Sequence, residues 1–278
     1  IQLQPVEIAK LAVIVLLAAF IYKKNRYSKS IKFTIYCWIV GMIPALLTLK
    51  VSSDLSSALV IMAITFGLTF IFNRTKKMHM VVLLTTVGLI AGYILHIKSN
   101  LPDPAHIDDY SYRIARIVAW LYPDRYSDAA YQSQTALYSI GSGGFWGVGL
   151  GRMYVNIPEG QTDFIFVLLT HQLGIFGGIC LILCYVYLLF QILKIALNAC
   201  SLYETILVIG ILIHIATQVV VNMGVCTSLL PNTGLPLVLM SYGGSSILTS
   251  FAELAICVSV SKKSVVEVSK KIAKEELG

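Results

Sequence analysis

Residues 164–193 read FIFVLLTHQLGIFGGICLILCYVYLLFQIL and contain no Asp, Glu, Lys or Arg. The hydrocarbon core of a bilayer is ~30 Å thick, and a helix crosses it with ~20 apolar residues. This stretch is long enough to cross and too apolar to face water. Six more stretches, 6–22, 33–49, 57–72, 79–97, 203–225 and 236–260, share its character, the third being the shortest. The chain therefore reads as all-α, a polytopic transmembrane bundle of about seven spans forming one integral membrane domain over 1–278. Composition agrees. Of 278 residues 57% are hydrophobic and 13% charged, and the mean hydropathy is +0.79. A soluble domain carries ~25% charged residues, so a soluble enzyme, a disordered protein and a nucleic-acid-binding domain are excluded.

The net charge of +7 marks topology instead of a polyanion site. Four segments hold 14 of the 21 basic residues: 23–32, 73–78, the short loop with Lys194, and the tail 262–278 with Lys262, Lys263, Lys270, Lys271 and Lys274. They alternate with the other connections, and Lys and Arg concentrate in cytoplasmic loops. The opposite, outer side receives Lys50–Ser56, the large segment 98–162 and the loop 226–235. Segment 98–162 is longer than linking two spans requires, which marks it as functional or disordered. The tail mixes Val265, Val266, Val268, Ile272 and Leu277 with lysines and reads as a helix lying on the inner membrane surface. Ile1–Glu7 lacks the basic region of a signal peptide, and a start at Ile1 reads as a fragment or processed product. The six cysteines form no metal-binding pattern; Cys180 and Cys184, one turn apart, read as small apolar packing residues.

Chemistry gathers on the outer side. In Pro158-Glu159-Gly160-Gln161-Thr162-Asp163-Phe164 a polar turn runs straight into an apolar span. Thr162 suits an N-cap and Asp163 suits the positive end of the helix dipole. Equally, Asp163 is placed as a general base at the water–membrane boundary, taking a proton from the hydroxyl of a lipid-anchored substrate. Residues 141–151 hold six glycines but lack the G-K-[ST] or G-x-G-x-x-G spacing of a nucleotide site, so they read as tight turns lying against the bundle. Leu230-Pro231-Asn232-Thr233-Gly234-Leu235-Pro236 breaks the helix in the outer loop, and Ser241-Tyr242-Gly243-Gly244-Ser245-Ser246 follows, its small residues allowing close backbone approach. In Gln4-Pro5-Val6-Glu7-Ile8-Ala9-Lys10, Glu7 and Lys10 are i,i+3 partners, either a structural pair or a groove entrance. Arg113 and Arg116, three apart, either clamp a phosphate or are solvated. Asp54 and Glu253 are isolated acids near spans.

Taken in order, these motifs resemble the FtsW/RodA/SpoVE (SEDS) family of bacterial elongation, division and sporulation proteins. The likeness rests on the 230–236 and 241–246 stretches with Gln218 and Asn222 ahead of them, on Pro158-Glu159 with Thr162–Phe166, on Tyr131-Gln132 and Gln134 before the glycines, and on Gln4–Lys10. It implies a ten-span bundle lacking here its first three spans. It implies a peptidoglycan glycosyltransferase in the bacterial cytoplasmic membrane, polymerising lipid II at the outer face beside a class B penicillin-binding transpeptidase and other divisome or elongasome membrane proteins. Asp163 matches the essential acid. Substrate contacts fall on Glu7, Lys10, Arg113, Arg116, Gln134, Thr162, Asn222, Pro231, Thr233, Ser241, Gly243, Gly244, Ser245 and Ser246. The motifs specify no cofactor; the pyrophosphate leaving group is compatible with a divalent cation, Mg or Mn. Departures are Gln161 for a usual His, His171-Gln172 for a Glu-Glu pair, Ser52-Ser53-Asp54-Leu55-Ser56 for Gln-Pro-Asp-Leu-Gly, Val238 for a Pro, and Glu253 in the last span. A lipid II flippase and an inactive scaffold for a transpeptidase are the competing readings; the scarcity of ionisable groups within the spans favours the enzyme over the flippase.

Overall fold

A computed structural model of the chain describes residues 4–24, 30–51, 54–104, 107, 110–152, 157 and 160–275, with side chains to Val266. Within these residues lie nine helices and no strand: α1 (Pro5–Lys23), α2 (Ile31–Val51), α3 (Leu55–Phe72), α4 (Lys76–Ser99), α5 (Tyr112–Leu121), α6 (Ser127–Gly143), α7 (Ile165–Leu197), α8 (Leu202–Cys226) and α9 (Gly244–Glu275). Seven of them, all but α5 and α6, are long and apolar enough to cross a membrane. The chain is a multi-pass membrane protein. Pro5 opens α1, where its missing N–H costs nothing. The Asp54 carboxylate caps α3, accepting from Ser57 N at 3.0 Å and Ser57 Oγ at 2.6 Å.

Two compact units divide the helices. The first comprises Ile1–Lys76, Cys184–Gln218 and Gly243–Gly278. Its core is lined by Ile14, Leu17 and Ile21 of α1, Ile61, Ile64 and Leu68 of α3, and Ile206, Ile211 and Ile215 of α8, all fully buried. These recur at helical spacing, so each helix turns one stripe inward. Glycines let the helices approach: a side chain at Gly41 would strike Thr65, at Gly67 Ile213, and at Gly210 Ile14. The opposite faces of α1 and α2 expose Leu16, Ile35, Ile39, Ile43, Leu46 and Leu47, a surface suited to lipid rather than water.

Glu253, the acid out of keeping with the family pattern, lies buried in this unit with His214 Nδ1 2.7 Å from its Oε1. Removing one member of a buried ionisable pair costs about 3–5 kcal/mol, whereas removing both costs far less. His214→Leu is therefore expected to lower the thermal midpoint of the detergent-solubilised protein, and adding Glu253→Leu to restore most of the loss. A double variant no more stable than the single one would show that the two side chains do not depend on each other.

The second unit comprises Lys77–Leu183 and Val219–Tyr242. Helices α5 and α6 fill much of the segment 98–162, whose length thus houses structure. Their core joins Ile97, Val118, Ala119, Tyr126 and Ala130, and the Tyr126 hydroxyl donates to the Pro102 carbonyl at 2.7 Å. Among the helices that can cross a membrane, α4 is the least covered within the described structure, burying His79 and Ile97.

Three expectations change. The last span begins at Gly244, not 236, because Pro236 cannot continue a hydrogen-bonded turn and Leu239 takes φ 66°. The tail is no separate helix: with neither Gly nor Pro between 245 and 277, α9 runs unbroken to Glu275; the tail side chains beyond Val266 lie outside the described residues. Cys180 and Cys184 are exposed on α7 and pack no core, since the stripe they share faces outward. Ser52-Ser53 and Pro158-Glu159 lie outside the described residues.

Candidate active site

Three consecutive carbonyls hold the backbone around Asp163, all within the second unit. Gln161 O accepts from Tyr242 N at 2.9 Å, Thr162 O from Ser241 Oγ at 2.5 Å, and Asp163 O from Asn222 Nδ2 at 2.7 Å. Cys226 Sγ lies 3.6 Å from the same Asp163 oxygen. Asn222 also donates to Leu235 O at 2.7 Å, and Ser241 Oγ accepts from Leu237 N at 2.6 Å. Buried amides and hydroxyls used this way satisfy backbone groups that no helix can satisfy. Thr162 is not the N-cap expected of it. Helix α7 starts at Ile165, and the Phe164 carbonyl accepts from Val167 and Leu168, which leaves Thr162 outside the first turn.

Asp163 is half-buried, and its carboxylate faces a gap beside Gly234. A Cβ at Gly234 would stand 3.4 Å from Asp163 Oδ2 and 3.9 Å from both terminal nitrogens of Arg116. Gly234 has φ 71°, a conformation glycine adopts without strain. Its N–H donates to Asn232 Oδ1 at 3.2 Å, the short side-chain turn typical of Asn. Arg116 donates to Asn232 O at 3.0 Å and to the Tyr112 hydroxyl, with its guanidinium 4.1 Å from the Tyr112 ring centroid. Asn232 Nδ2 in turn donates to Gln132 Oε1 at 2.7 Å, and Trp120 Nε1 to Ser228 O at 2.9 Å. The segment between α8 and α9 is thus tied to α5, α6 and the mouth of α7. Its Gly234 lies close to both the Asp163 carboxylate and the Arg116 guanidinium.

Of the site residues read from sequence, Asp163, Arg116, Thr162, Asn222, Pro231, Thr233 and Ser241 belong to this segment or to what it holds. Arg113 is exposed on α5. Gln134 is half-buried on α6, but the reach to the segment is made by Gln132. Glu7, Lys10, Gly243, Gly244, Ser245 and Ser246 lie in the first unit. There Lys10 Nζ is 2.6 Å from Glu7 Oε1 with both side chains buried, and Ser245 Oγ accepts from Gln4 N at 2.9 Å. Sequence reasoning did not assign roles to Gln132, Asn232 or Gly234, although each stood inside a quoted motif.

Of the glycine-rich segment, residues 141–143 close α6, and the tight turns are confined to 144–151, whose partner is α7. Helix α7 breaks at Gly174, φ 71° and ψ −175°. Val148 and Gly149 donate to the His171 and Gln172 carbonyls at 3.1 Å each, and Ile175 and Phe176 donate back to Gly144 and Phe145 at 3.0 and 3.2 Å. His171 Nδ1 lies 2.9 Å from Ser139 O and 3.3 Å from Ser142 Oγ, while Gln172 Oε1 accepts from Gly151 N at 3.3 Å. Of these two departures from the family pattern, Gln172 holds Gly151 with its side chain and His171 reaches Ser139 and Ser142 of α6.

The family model for FtsW/RodA/SpoVE, described as cell cycle protein, matches residues 1–265. The chain belongs to this family. Stage V sporulation protein E of Bacillus subtilis (strain 168) is 33% identical over 95% of this chain and 69% of its own length. The probable peptidoglycan glycosyltransferase FtsW of Tolumonas auensis is 31% identical over 99% of this chain and 70% of its own. Among solved structures, a chain of a peptidoglycan synthase complex that coordinates polymerization and crosslinking superposes with TM-score 0.73, at 26% identity over 95% of this chain and 71% of that one. The rod shape determining protein RodA of Thermus thermophilus superposes with TM-score 0.60, at 26% identity over 95% of this chain and 67% of that one.

A FtsW/RodA/SpoVE site handling a pyrophosphate would suit a divalent cation. Among the described residues no three His, Cys, Asp or Glu side chains come together. Asp163 offers one carboxylate beside Gly234, and the Arg116 guanidinium lies near the same glycine.

Proposed function

We propose that this chain is a peptidoglycan glycosyltransferase that polymerises lipid II into glycan strands at the outer face of the bacterial cytoplasmic membrane, in partnership with a class B penicillin-binding transpeptidase. The observation that carries the reading is that the Asp163 carboxylate and the Arg116 guanidinium both approach Gly234, whose missing side chain leaves room beside them. The names of the FtsW relatives and of the synthase complex support the substrate class and the partner. The outer-face assignment rests on the clustering of Lys and Arg in the alternate connections.

Chemically, Asp163 Oδ2 takes the proton from the 4-hydroxyl of the acceptor sugar. The freed oxygen attacks the anomeric carbon of the donor, the bond to its polyprenyl pyrophosphate breaks, and the leaving group departs with the electron pair. Arg116, with Arg113 one turn away, offsets the negative charge that grows on that pyrophosphate. The charge of Lys10 is engaged by Glu7 within the first unit.

The test is polymerisation of labelled lipid II by the purified protein reconstituted with its transpeptidase, with Asp163→Asn alongside. Wild-type polymer that the variant fails to make supports the reading. Transfer of lipid II across the bilayer without polymer would establish a flippase, and crosslinking of glycan made by another enzyme, with no polymer of its own, a scaffold. Arg116→Lys keeps the charge but loses the planar fork that reaches Asn232 and the stacking on Tyr112. Hydrogen bonds to charged groups contribute about 1.5–3 kcal/mol, so the initial rate is expected to fall by roughly 10- to 100-fold. A rate within twofold of wild type would remove Arg116 from the reaction.

A further inference from the structure

Within the first unit, a cavity of about 550 Å³ opens between the end of α7 and α9, lined by Gln191, Lys194, Ile195, Asn198, Ser261, Ser264 and Val265. We propose that it seats the headgroup of an anionic membrane phospholipid of the phosphatidylglycerol type, a phosphodiester carrying free hydroxyls. The inference is independent of the reaction assigned to Asp163 and of which face of the membrane is which.

Position comes first. Lys194 lies in the last turn of α7, which ends at Leu197, and residues 261–265 follow directly on the apolar run of α9, which gives way after Val260 to Lys262 and Lys263. The ends of spans lie at headgroup depth, so a cavity built from two of them opens where lipid phosphates sit.

Charge comes second. Among the described residues the lining holds one cation, Lys194, and no carboxylate. Glu204, at the start of α8, is bonded to Lys263 at 2.6 Å, so its charge is already balanced. Lys194 is exposed and offers three donors, to which Gln191 and Ser261 add neutral ones. Asn198 spends an amide hydrogen on the Lys194 carbonyl at 2.9 Å, and Ser264 donates its hydroxyl hydrogen to Val260 O at 3.0 Å. Both therefore keep oxygens that accept, which suit hydroxyls on the headgroup. Ile195 and Val265 supply an apolar wall for the glycerol backbone. A zwitterionic choline lipid would bring a second cation toward Lys194 and no hydroxyl for Asn198 or Ser264, so the lining selects against it.

The experiment reconstitutes the protein in phosphatidylcholine vesicles containing a minority of phosphatidylglycerol, extracts it gently, and measures co-retained lipid by native mass spectrometry. Phosphatidylglycerol is expected to be enriched over phosphatidylcholine, and Lys194→Gln to reduce the enrichment about fivefold, the electrostatic weight of one lysine near a lipid surface. Ser261→Trp, which fills the cavity without changing charge, is expected to do the same. Lys76→Gln, on a different connection, leaves the enrichment unchanged. Monodisperse gel filtration and an unchanged helical circular dichroism signal establish that each variant is folded. Equal retention of the two lipids by the wild type overturns the proposal. So does an equal effect of Lys76→Gln, which would mean diffuse attraction to a basic surface, or displacement of the lipid by inorganic phosphate, which would mean a free-phosphate site.

Discussion

Asp163→Asn is expected to lower lipid II polymerisation by about 10²–10⁴-fold, the range that a positioned general base contributes, while leaving the protein folded. The expectation of an intact fold follows from how the residue is held. Asn222 donates to the backbone carbonyl of Asp163, and Ser241 and Tyr242 donate to the carbonyls of Thr162 and Gln161. An amide at position 163 keeps all of these and the side-chain volume, and removes the oxygen's ability to take a proton. The informative measurement is therefore paired: initial polymerisation rate beside thermal midpoint and lipid II binding. Rate loss with binding and midpoint preserved assigns proton transfer to Asp163. A variant that polymerises at the wild-type rate refutes the assignment, and one whose midpoint falls with the rate reveals a structural acid instead.

Gly174→Ala is expected to destabilise the protein by about 3 kcal/mol or more. At φ 71° and ψ −175° the backbone occupies a region open to glycine almost alone, where another residue costs about 1–3 kcal/mol. Beyond strain, an added Cβ would be driven into the Phe145 carbonyl, and the reciprocal bonds between 144–149 and 171–176 would have to part, each worth about 0.5–1.5 kcal/mol. Gly147, with φ 80°, is the mirror position, its own Cβ colliding with the Gln172 carbonyl. Gly141 is the control: it lies within α6, and a Cβ there meets nothing, so Gly141→Ala should be neutral or slightly stabilising. Thermal midpoints of the two alanine variants decide the matter, and a Gly174→Ala protein as stable as Gly141→Ala would mean that the break is incidental.

The spans were legible because hydropathy integrates over a whole helix, and six of the seven begin and end within four residues of the stretches read from sequence. The seventh was misjudged where apolar character and helicity part company: Leu235, Leu237 and Val238 are buried, but in an irregular segment against the acid. Averaging over a window cannot distinguish those two kinds of burial. The same limit explains Cys180 and Cys184, where identity suggested packing but the direction of a lipid-facing stripe depends on neighbours far along the chain. Within the candidate site, Asp163 and Arg116 were singled out by chemistry and by family resemblance, and both lie near Gly234. Gln132 was not favoured over Gln134, because which of two nearby glutamines reaches Asn232 depends on the rotation of α6 about its axis. The pairing of Glu253 with His214 joins residues 39 apart and had no local signal at all.

The bonds that hold the residues around Asp163 come from far downstream. Ser241 reaches Thr162 across 79 positions, and Tyr242 and Asn222 are likewise made after the helix that Asp163 introduces. During synthesis at about 5–20 residues per second, the acid waits roughly 4–16 s before the groups that set its backbone exist. A nascent chain that has inserted α7 alone carries the acid without its setting. The setting of the acid is thus completed only once Tyr242 has been made, after α1 to α8.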